Sequence, residues 1–168
     1  MKKICAIALV CVWFCGCAGY HIGEVKPNKL KDIQSITVPT FANKTLLPRI
    51  EVLVTDTVIK QFHQDGTYKI AGDEHADAIL QGDILKVTRL PARSVRGNVL
   101  ATTEFKLNMR IRYKLLRAGT EEVLAQGDAT GDTSFFVSSD VTTDERQALP
   151  LAAEQVATRL VSQLSEGW

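Results

Sequence analysis

The most regular pattern in the chain is a strict alternation of polar and apolar residues from 104 to 115. The six polar positions are Glu104, Lys106, Asn108, Arg110, Arg112 and Lys114, and the six apolar ones are Phe105, Leu107, Met109, Ile111, Tyr113 and Leu115. A period of two places alternate side chains on opposite faces of a strand, whereas a helix would scatter both sets around its axis. The pattern therefore predicts a strand with one buried and one exposed face.

Two flanking segments extend this strand into a sheet. Residues 78–89 are rich in Ile, Leu and Val with an interruption at Gly82, and residues 122–130 follow a turn at 117–119. Gly97 and Asn98 suit a tight turn that needs positive φ. These features predict an antiparallel meander, which can leave one face in water. Two further short strands are predicted at residues 33–38 and 68–70.

Apolar residues at spacings of three and four predict two amphipathic helices. The first stripe consists of Ile50, Leu53, Val54, Val58, Ile59 and Phe62. Pro48 suits the first turn of this helix, and Gly66 suits its left-handed cap. The second stripe consists of Leu149, Ala152, Ala153, Val156, Leu160 and Leu164. Pro150 either begins or kinks this second helix, and residues 132–145 before it are predicted to form a loop.

The order of these elements is strand, helix, meander, helix. Two amphipathic helices and a sheet with one apolar face imply an α+β fold, namely a two-layer sandwich with a mainly antiparallel sheet and both helices packed on one face. Residues 33–168 have the size of a single domain. Residues 17–32 contain glycines, Pro27 and several charges with little periodicity, so we expect a tether there.

The first sixteen residues have the layout of a secretory signal peptide. Lys2 and Lys3 precede an apolar run from 4 to 14, and small residues follow at Gly16 and Ala18. The run is shorter than the roughly 20 residues that a spanning helix needs. A buried N-terminal helix is the alternative, but it leaves the lysines and the placement of the cysteines unexplained.

The stretch Phe14-Cys15-Gly16-Cys17 resembles the bacterial lipobox, with Phe in place of the usual Leu. The resemblance implies cleavage before Cys17 and acylation of that cysteine, and several acyl chains make a durable anchor. Ala18, rather than Asp, then favours sorting to the outer membrane. Cys5, Cys11 and Cys15 would leave with the signal, so no disulfide, thiolate metal site or cysteine nucleophile is expected after position 17. A reactive odd cysteine is the alternative role for Cys17.

Charge and motif content narrow the classes of function. Without Lys2 and Lys3 the 20 basic residues fall to 18, against 19 acidic residues, so no global field attracts nucleic acid. The three histidines are far apart, and the polar run Asp73, Glu74, His75 and Asp77 fits no metal-binding spacing. Neither a phosphate-binding loop nor a Gly-x-Ser-x-Gly elbow is present. We therefore expect a protein that is not an enzyme and has no cofactor.

The exposed positions of the alternating strand carry a basic stripe. Lys106, Arg110, Arg112 and Lys114 share one face, and Arg89, Arg93 and Arg96 lie along the preceding strand and its tip. One interpretation is a solvated sheet face. The other is a site for phosphate or another anionic group, because clustered Arg side chains suit such ligands.

The segments taken together resemble the LptE family of lipopolysaccharide-assembly lipoproteins. The stretches that carry the resemblance are CAGYHIG, ITVPTFANKT, HADAILQGDILKVTR, VRGNVLATTEFKLNMRIRYKLL and LAAEQVATRLVSQL. They cover essentially all of the chain after Cys17, and their order and spacing, rather than any one motif, carry the resemblance.

The resemblance implies a non-catalytic lipoprotein, anchored on the periplasmic side of the outer membrane. It implies a complex with the LptD β-barrel, in which the protein acts as plug and assembly partner and contacts lipopolysaccharide during insertion into the outer leaflet. A basic residue before a Gly/Asn hairpin turn is tied to lipopolysaccharide in this family, and Arg96 matches it. Arg93, Lys106, Arg110 and Arg112 are further candidates. A second basic residue of the family has no match, because Phe135-Phe136 is followed by the acidic stretch VSSDVTTDE.

Two other functions are compatible with parts of the sequence. SITVPTFANKT also resembles the first strand of lipoproteins that activate peptidoglycan synthases or form secretion pores. Those folds favour more alternating βα units, whereas the long alternating hairpin fits the LptE family better. A small periplasmic hydrolase is the enzyme alternative, and the missing motifs argue against it.

Overall fold

The computed structural model describes residues 26–95 and 98–166, with the backbone alone at 94–95 and 98–102. Its elements in chain order are a short 3-10 helix Asn28–Leu30, β1 Ser35–Thr37, β2 Ala42–Asn43, α1 Ile50–Asp65, β3 Lys69–Ile70, β4 Ala78–Val95, β5 Asn98–Arg117, β6 Val123–Phe136 and α2 Val141–Ser165. Residues 1–25, which include the predicted signal and Cys17, lie outside the described part.

The sheet is mixed, in the order β3-β1-β4-β5-β6, with β2 also pairing with β4. The long strands β4, β5 and β6 form the predicted antiparallel meander. The short strands pair in parallel: β1 with both β3 and β4, and β2 with β4. The predicted α+β class is therefore confirmed, with two helices and an open sheet. β2 was missed, because its two residues lie in a stretch that reads as a polar turn.

The buried face of β5 consists of the apolar residues of the alternating pattern. Leu107, Met109, Ile111 and Leu115 are completely buried, and Tyr113 nearly so. Glycines on the neighbouring strand allow close packing over this face. A Cβ at Gly131 would collide with the backbone of α2 at Ala152 and Val156. The second layer can therefore approach the sheet as closely as it does only because position 131 has no side chain.

Helix α1 follows its predicted stripe. Ile50, Val54, Val58 and Phe62 are buried, and the Gly66 N–H, at a φ of 78°, donates to the Phe62 carbonyl at 3.0 Å. The helix begins at Ile50 rather than at Pro48. Arg49 before it has a φ of 64°, in the left-handed region.

The segment before the second helix was predicted wrongly. Residues 132–136 continue β6, with Phe135 opposite Phe105, and α2 begins at Val141. The Asp140 side chain caps this helix by accepting from the Thr142 and Thr143 N–H groups at 3.0 and 3.3 Å. Pro150 therefore lies inside α2 rather than at its start.

Candidate ligand-binding face

The candidate site is the face of the meander that points away from the helices, called here the open face. Its β5 members are the polar set of the alternation, and Lys106, Arg110, Arg112 and Lys114 are all exposed. Cross-strand register brings Asp128 of β6 opposite Arg112, and Asp132 opposite Asn108. The basic stripe predicted from the sequence thus exists on one face, but carboxylates from the next strand lie beside it.

Asp128 holds two of the predicted cations. Arg110 Nη2 lies 2.5 Å from Asp128 Oδ2, and Arg112 Nε lies 3.0 Å from Asp128 Oδ1. The hydrogen bonds from Arg110, and then from Arg112, hold the pKa of the Asp128 carboxyl below its usual value. The bond to Asp128 also raises the pKa of the Arg112 guanidinium. An incoming anion must compete with Asp128 for both arginines.

Two further predicted cations, Lys106 and Arg93, are paired as well. Lys106 Nζ lies 3.1 Å from Asp132 Oδ2, and Arg159 of α2 reaches the same carboxyl at 3.6 Å. Arg93 Nε lies 3.7 Å from Glu104 Oε2, with an Arg93 side chain that is 72% exposed. Such exposed pairs are weak, so a ligand phosphate can replace the carboxylate at small cost.

Arg89 does not belong to the open face. It lies over the Phe105 ring at 4.9 Å and pairs with Glu145 of α2 at 2.6 Å, on the side of the helices. The cause is an irregularity between Ile84 and Lys86, where the register of β4 against β5 shifts. The extra residue moves the following side chains of β4, up to Pro91, to the opposite face, and a second shift between Pro91 and Arg93 reverses the change.

Two apolar side chains at the far end of the open face were not anticipated. Leu90 is 57% exposed and lies opposite Lys106, while Phe136 is 69% exposed and lies opposite Glu104. Phe136 was missed because its segment was assigned to a loop. The two residues give this end, towards the β4–β5 turn, a mixed apolar and basic surface.

Arg96, the position matched by resemblance to a lipopolysaccharide contact, lies outside the described residues together with Gly97. Arg93 is the last cation of β4 whose side chain is described before this turn. The position of Arg96 at the tip of the basic stripe therefore stays a prediction. The other four candidates lie on one face, namely Arg93, Lys106, Arg110 and Arg112.

The acidic run after β3 has a structural role. Asp77 Oδ2 accepts from the Gln34 and Ser35 N–H groups at 3.0 and 2.9 Å and from the Ser35 hydroxyl at 2.9 Å. These bonds, led by that from Gln34, lower the pKa of Asp77. The Thr37 hydroxyl donates to Asp73 at 2.6 Å. Within the described ranges no group of three or more His, Cys, Asp or Glu side chains could hold a metal ion.

Comparison with known families gives one match. The model of the family described as LptE, lipopolysaccharide-assembly, matches residues 33–164. No curated protein matches the chain significantly. Among the residues from 26 to 95 and 98 to 166, neither helix has the length and apolar character needed to cross a membrane.

Solved structures share the fold at low sequence identity. The hypothetical protein CT253 from Chlamydia trachomatis has a TM-score of 0.57 at 8% identity, over 79% of this chain and 96% of that chain. Protein XCC0632 from Xanthomonas campestris has a TM-score of 0.55 at 18% identity, over 80% and 85%. A PelC dodecamer from Paraburkholderia phytofirmans has a TM-score of 0.54 at 14% identity, over 85% and 95%. At such identities the likeness concerns the fold alone.

Proposed function

Because the chain belongs to the LptE family of lipopolysaccharide-assembly proteins, we propose that it is the non-catalytic lipoprotein partner of an LptD-type β-barrel. In this role it acts as plug and assembly partner in the outer membrane and contacts lipopolysaccharide during its insertion into the outer leaflet. Cys17 carries the lipid anchor on the periplasmic side, residues 17–32 link the anchor to the domain, and residues 33–168 form that domain.

The observation that carries the lipopolysaccharide contact is the open face. Arg93, Lys106, Arg110 and Arg112 point away from the packed core, and Leu90 and Phe136 lie at the same end as Arg93. Arginine forks bind phosphate in a bidentate manner, and exposed apolar side chains suit acyl groups. A phosphorylated glycolipid offers both kinds of partner. Arg96 would extend the contact to the turn.

The partner is tested by purification of the tagged, membrane-extracted protein in mild detergent, followed by mass spectrometry of the proteins that accompany it. We expect an LptD-type barrel in stoichiometric amount. Recovery of a peptidoglycan synthase, or of no outer-membrane barrel, would contradict the proposal and favour the activator alternative. A Cys17→Ser variant should fail to reach the outer membrane if Cys17 carries the anchor.

Binding of the ligand is tested in a competition assay, in which unlabelled lipopolysaccharide displaces a fluorescent derivative from the protein. Arg93→Asp and Arg96→Asp should each weaken binding roughly tenfold, because each replaces a charge-assisted bond by repulsion. Asp128→Asn should strengthen binding roughly threefold, because it removes the carboxylate that competes for Arg110 and Arg112.

The Asp128 variant separates the two interpretations of the basic stripe. If the face is only solvated, Asp128→Asn should leave the affinity for lipopolysaccharide unchanged. An unchanged affinity would mean that Arg110 and Arg112 do not contact the ligand. Lys29→Asp provides the charge-matched control for Arg93→Asp and Arg96→Asp, since Lys29 is exposed on the 3-10 helix, beside Leu124 and Gln163.

A further inference from the structure

A hollow of about 410 Å³ lies on the side of the helices, away from the open face. It is bounded by the loop that leads into α1 and by the first turns of α2. Leu47, Leu53 and Leu149 are among its apolar walls, and Arg49, Glu145 and Arg146 are among its polar ones. Its volume is in the range of sites for small molecules, roughly 300–1,000 Å³.

The loop that forms one wall is held in place. Asn43 Nδ2 donates to the Leu47 carbonyl at 2.8 Å and to Glu51 Oε2 at 2.9 Å, while Asn43 Oδ1 accepts from the Thr45 N–H and hydroxyl. This network fixes Leu47 and leaves the neighbouring Leu46 fully exposed. The hollow is therefore a preformed feature of the fold, with an additional apolar side chain next to Leu47.

The charges around the hollow do not balance. Glu145 is held by Arg89 at 2.6 Å, and Glu51 accepts from Asn43. Arg49 and Arg146 are both exposed and form no ion pair within the described residues. The hydrogen bond from the Thr143 hydroxyl is the main cause that lowers the pKa of Asp140, and Arg146 adds only a weak attraction through space. Two guanidinium groups are thus available beside an apolar interior.

We propose that this hollow binds an anionic amphiphile with a single acyl chain. The chain lies against Leu47, Leu53 and Leu149, and the carboxylate or phosphate lies at Arg49 and Arg146. Apolar burial favours the chain, and charge-assisted bonds from arginine favour the anionic head. The size of the hollow selects a single chain rather than a whole glycolipid with several. The site is separate from the open face and does not depend on the function proposed for that face.

The test uses the full acylated protein held in nanodiscs of zwitterionic lipid, with empty nanodiscs as the blank, so that neither detergent nor an anionic polymer competes. Binding of decanoate, decyl phosphate, uncharged decyl maltoside and inorganic phosphate is measured by calorimetry. A photoreactive decanoate then maps the contact. We expect both anionic amphiphiles to bind, the maltoside and the free phosphate to bind at least tenfold more weakly, and crosslinks to fall within residues 46–53 and 142–149.

Three variants make the test specific. Arg146→Gln should weaken decanoate binding roughly tenfold. Leu53→Phe should block the chain by filling the hollow while leaving the charges in place, and its thermal midpoint checks that it folds. Lys60→Gln removes a cation from an exposed position further along α1 and should bind as the wild type does.

The following outcomes would overturn the proposal. If decyl maltoside binds as tightly as decanoate, the arginines have no role in binding. The same follows if Arg146→Gln binds decanoate as tightly as the wild type does. Crosslinks confined to the open face place the amphiphile elsewhere. If no amphiphile binds and an acidic segment of a partner protein crosslinks at position 146, the hollow is a docking site for a protein instead.

Discussion

The two faces of β5 differ completely although their residues alternate along one strand. Ile111 is fully buried, whereas the side chain of the next residue, Arg112, is 54% exposed and bonds only to other surface groups. The buried side contacts the helix layer, and the open side contacts solvent and two carboxylates of β6. The fold is therefore determined on one side, while the other side is available for ligands at little cost in stability.

Removal of a side chain from the buried face should have the largest effect. Ile111→Ala takes a fully buried side chain out of the core, and the expected loss is about 3 kcal/mol in the free energy of unfolding, within the range of roughly 2–5 kcal/mol for such changes. Urea denaturation measures it. Arg112→Ala, one residue further along, should leave the denaturation midpoint close to that of the wild type. Equal losses for the two variants would remove the distinction between the faces.

Addition of a methyl group to the buried side of β6 should be the next most harmful change. Gly131→Ala places a Cβ against the Ala152 carbonyl and 2.7 Å from the Val156 nitrogen, and the backbone of α2 has to move. Overpacking of this kind costs about 2 kcal/mol. Gly72→Ala is the matched control, because a Cβ there would meet nothing within 4 Å. A Gly131 variant as stable as the Gly72 variant would mean that α2 packs less closely than described.

Asp77 sharpens the comparison, because it is exposed and yet structural. Asp77→Asn should cost about 1 kcal/mol, a value reduced for exposure to solvent, since the amide is a weaker acceptor for Gln34 and Ser35. The folded-state pKa of Asp77 is below its unfolded value near 3.8. Its contribution is therefore complete above that value and is lost as the pH falls through the folded pKa.

A pH series of urea midpoints tests this assignment. The difference between wild type and Asp77→Asn should be constant above about pH 5 and should shrink below pH 4. A difference that stays constant at low pH would show that the carboxylate charge is not what holds β1.

The smallest effect on stability is expected on the open face. Asp128→Asn breaks two exposed ion pairs with Arg110 and Arg112, and exposed pairs add little to folding. Its thermal midpoint should match that of the wild type, although the proposed function predicts a higher affinity for lipopolysaccharide. A clear drop in the midpoint would mean that the open face contributes to the fold and is less free to bind ligands than its exposure suggests.

The alternation at 104–115 and the stripe at 50–62 were sufficient to predict the layers, because hydrophobic period depends only on local order. The start of α2 was missed because residues 138–144, apart from Val141, are short polar residues that fit a loop equally well. Asp140 before the later apolar stripe was the available signal, since aspartate is a preferred helix cap. Ser138 and Asp144, which bond to each other, also lie in this segment.

The candidate site was predicted only in part, because its partners come from another strand. The polar positions of β5 identified the cations, but Asp128 and Asp132 become neighbours only through the register of β6. That register depends on the turn with Gly119 and Glu121 at positive φ, and on an irregularity at Leu115. The position of Arg89 depends in the same way on the shift near Lys86, which no local pattern reveals.

The place of β1 between β3 and β4 has a consequence for the order of folding. The meander joins neighbours along the chain, whereas β1 must meet β4 more than forty residues later, with Ile36 opposite Ala78. Closing a long loop lowers the chain entropy before the contacts that stabilise it have formed. Local hairpins therefore form early, and pairings between distant segments form late. Strand β1, and β3 which is attached to the sheet only through it, should therefore be among the last to join the sheet, and until they do, the edge of β4 at Ala78 lacks its neighbour.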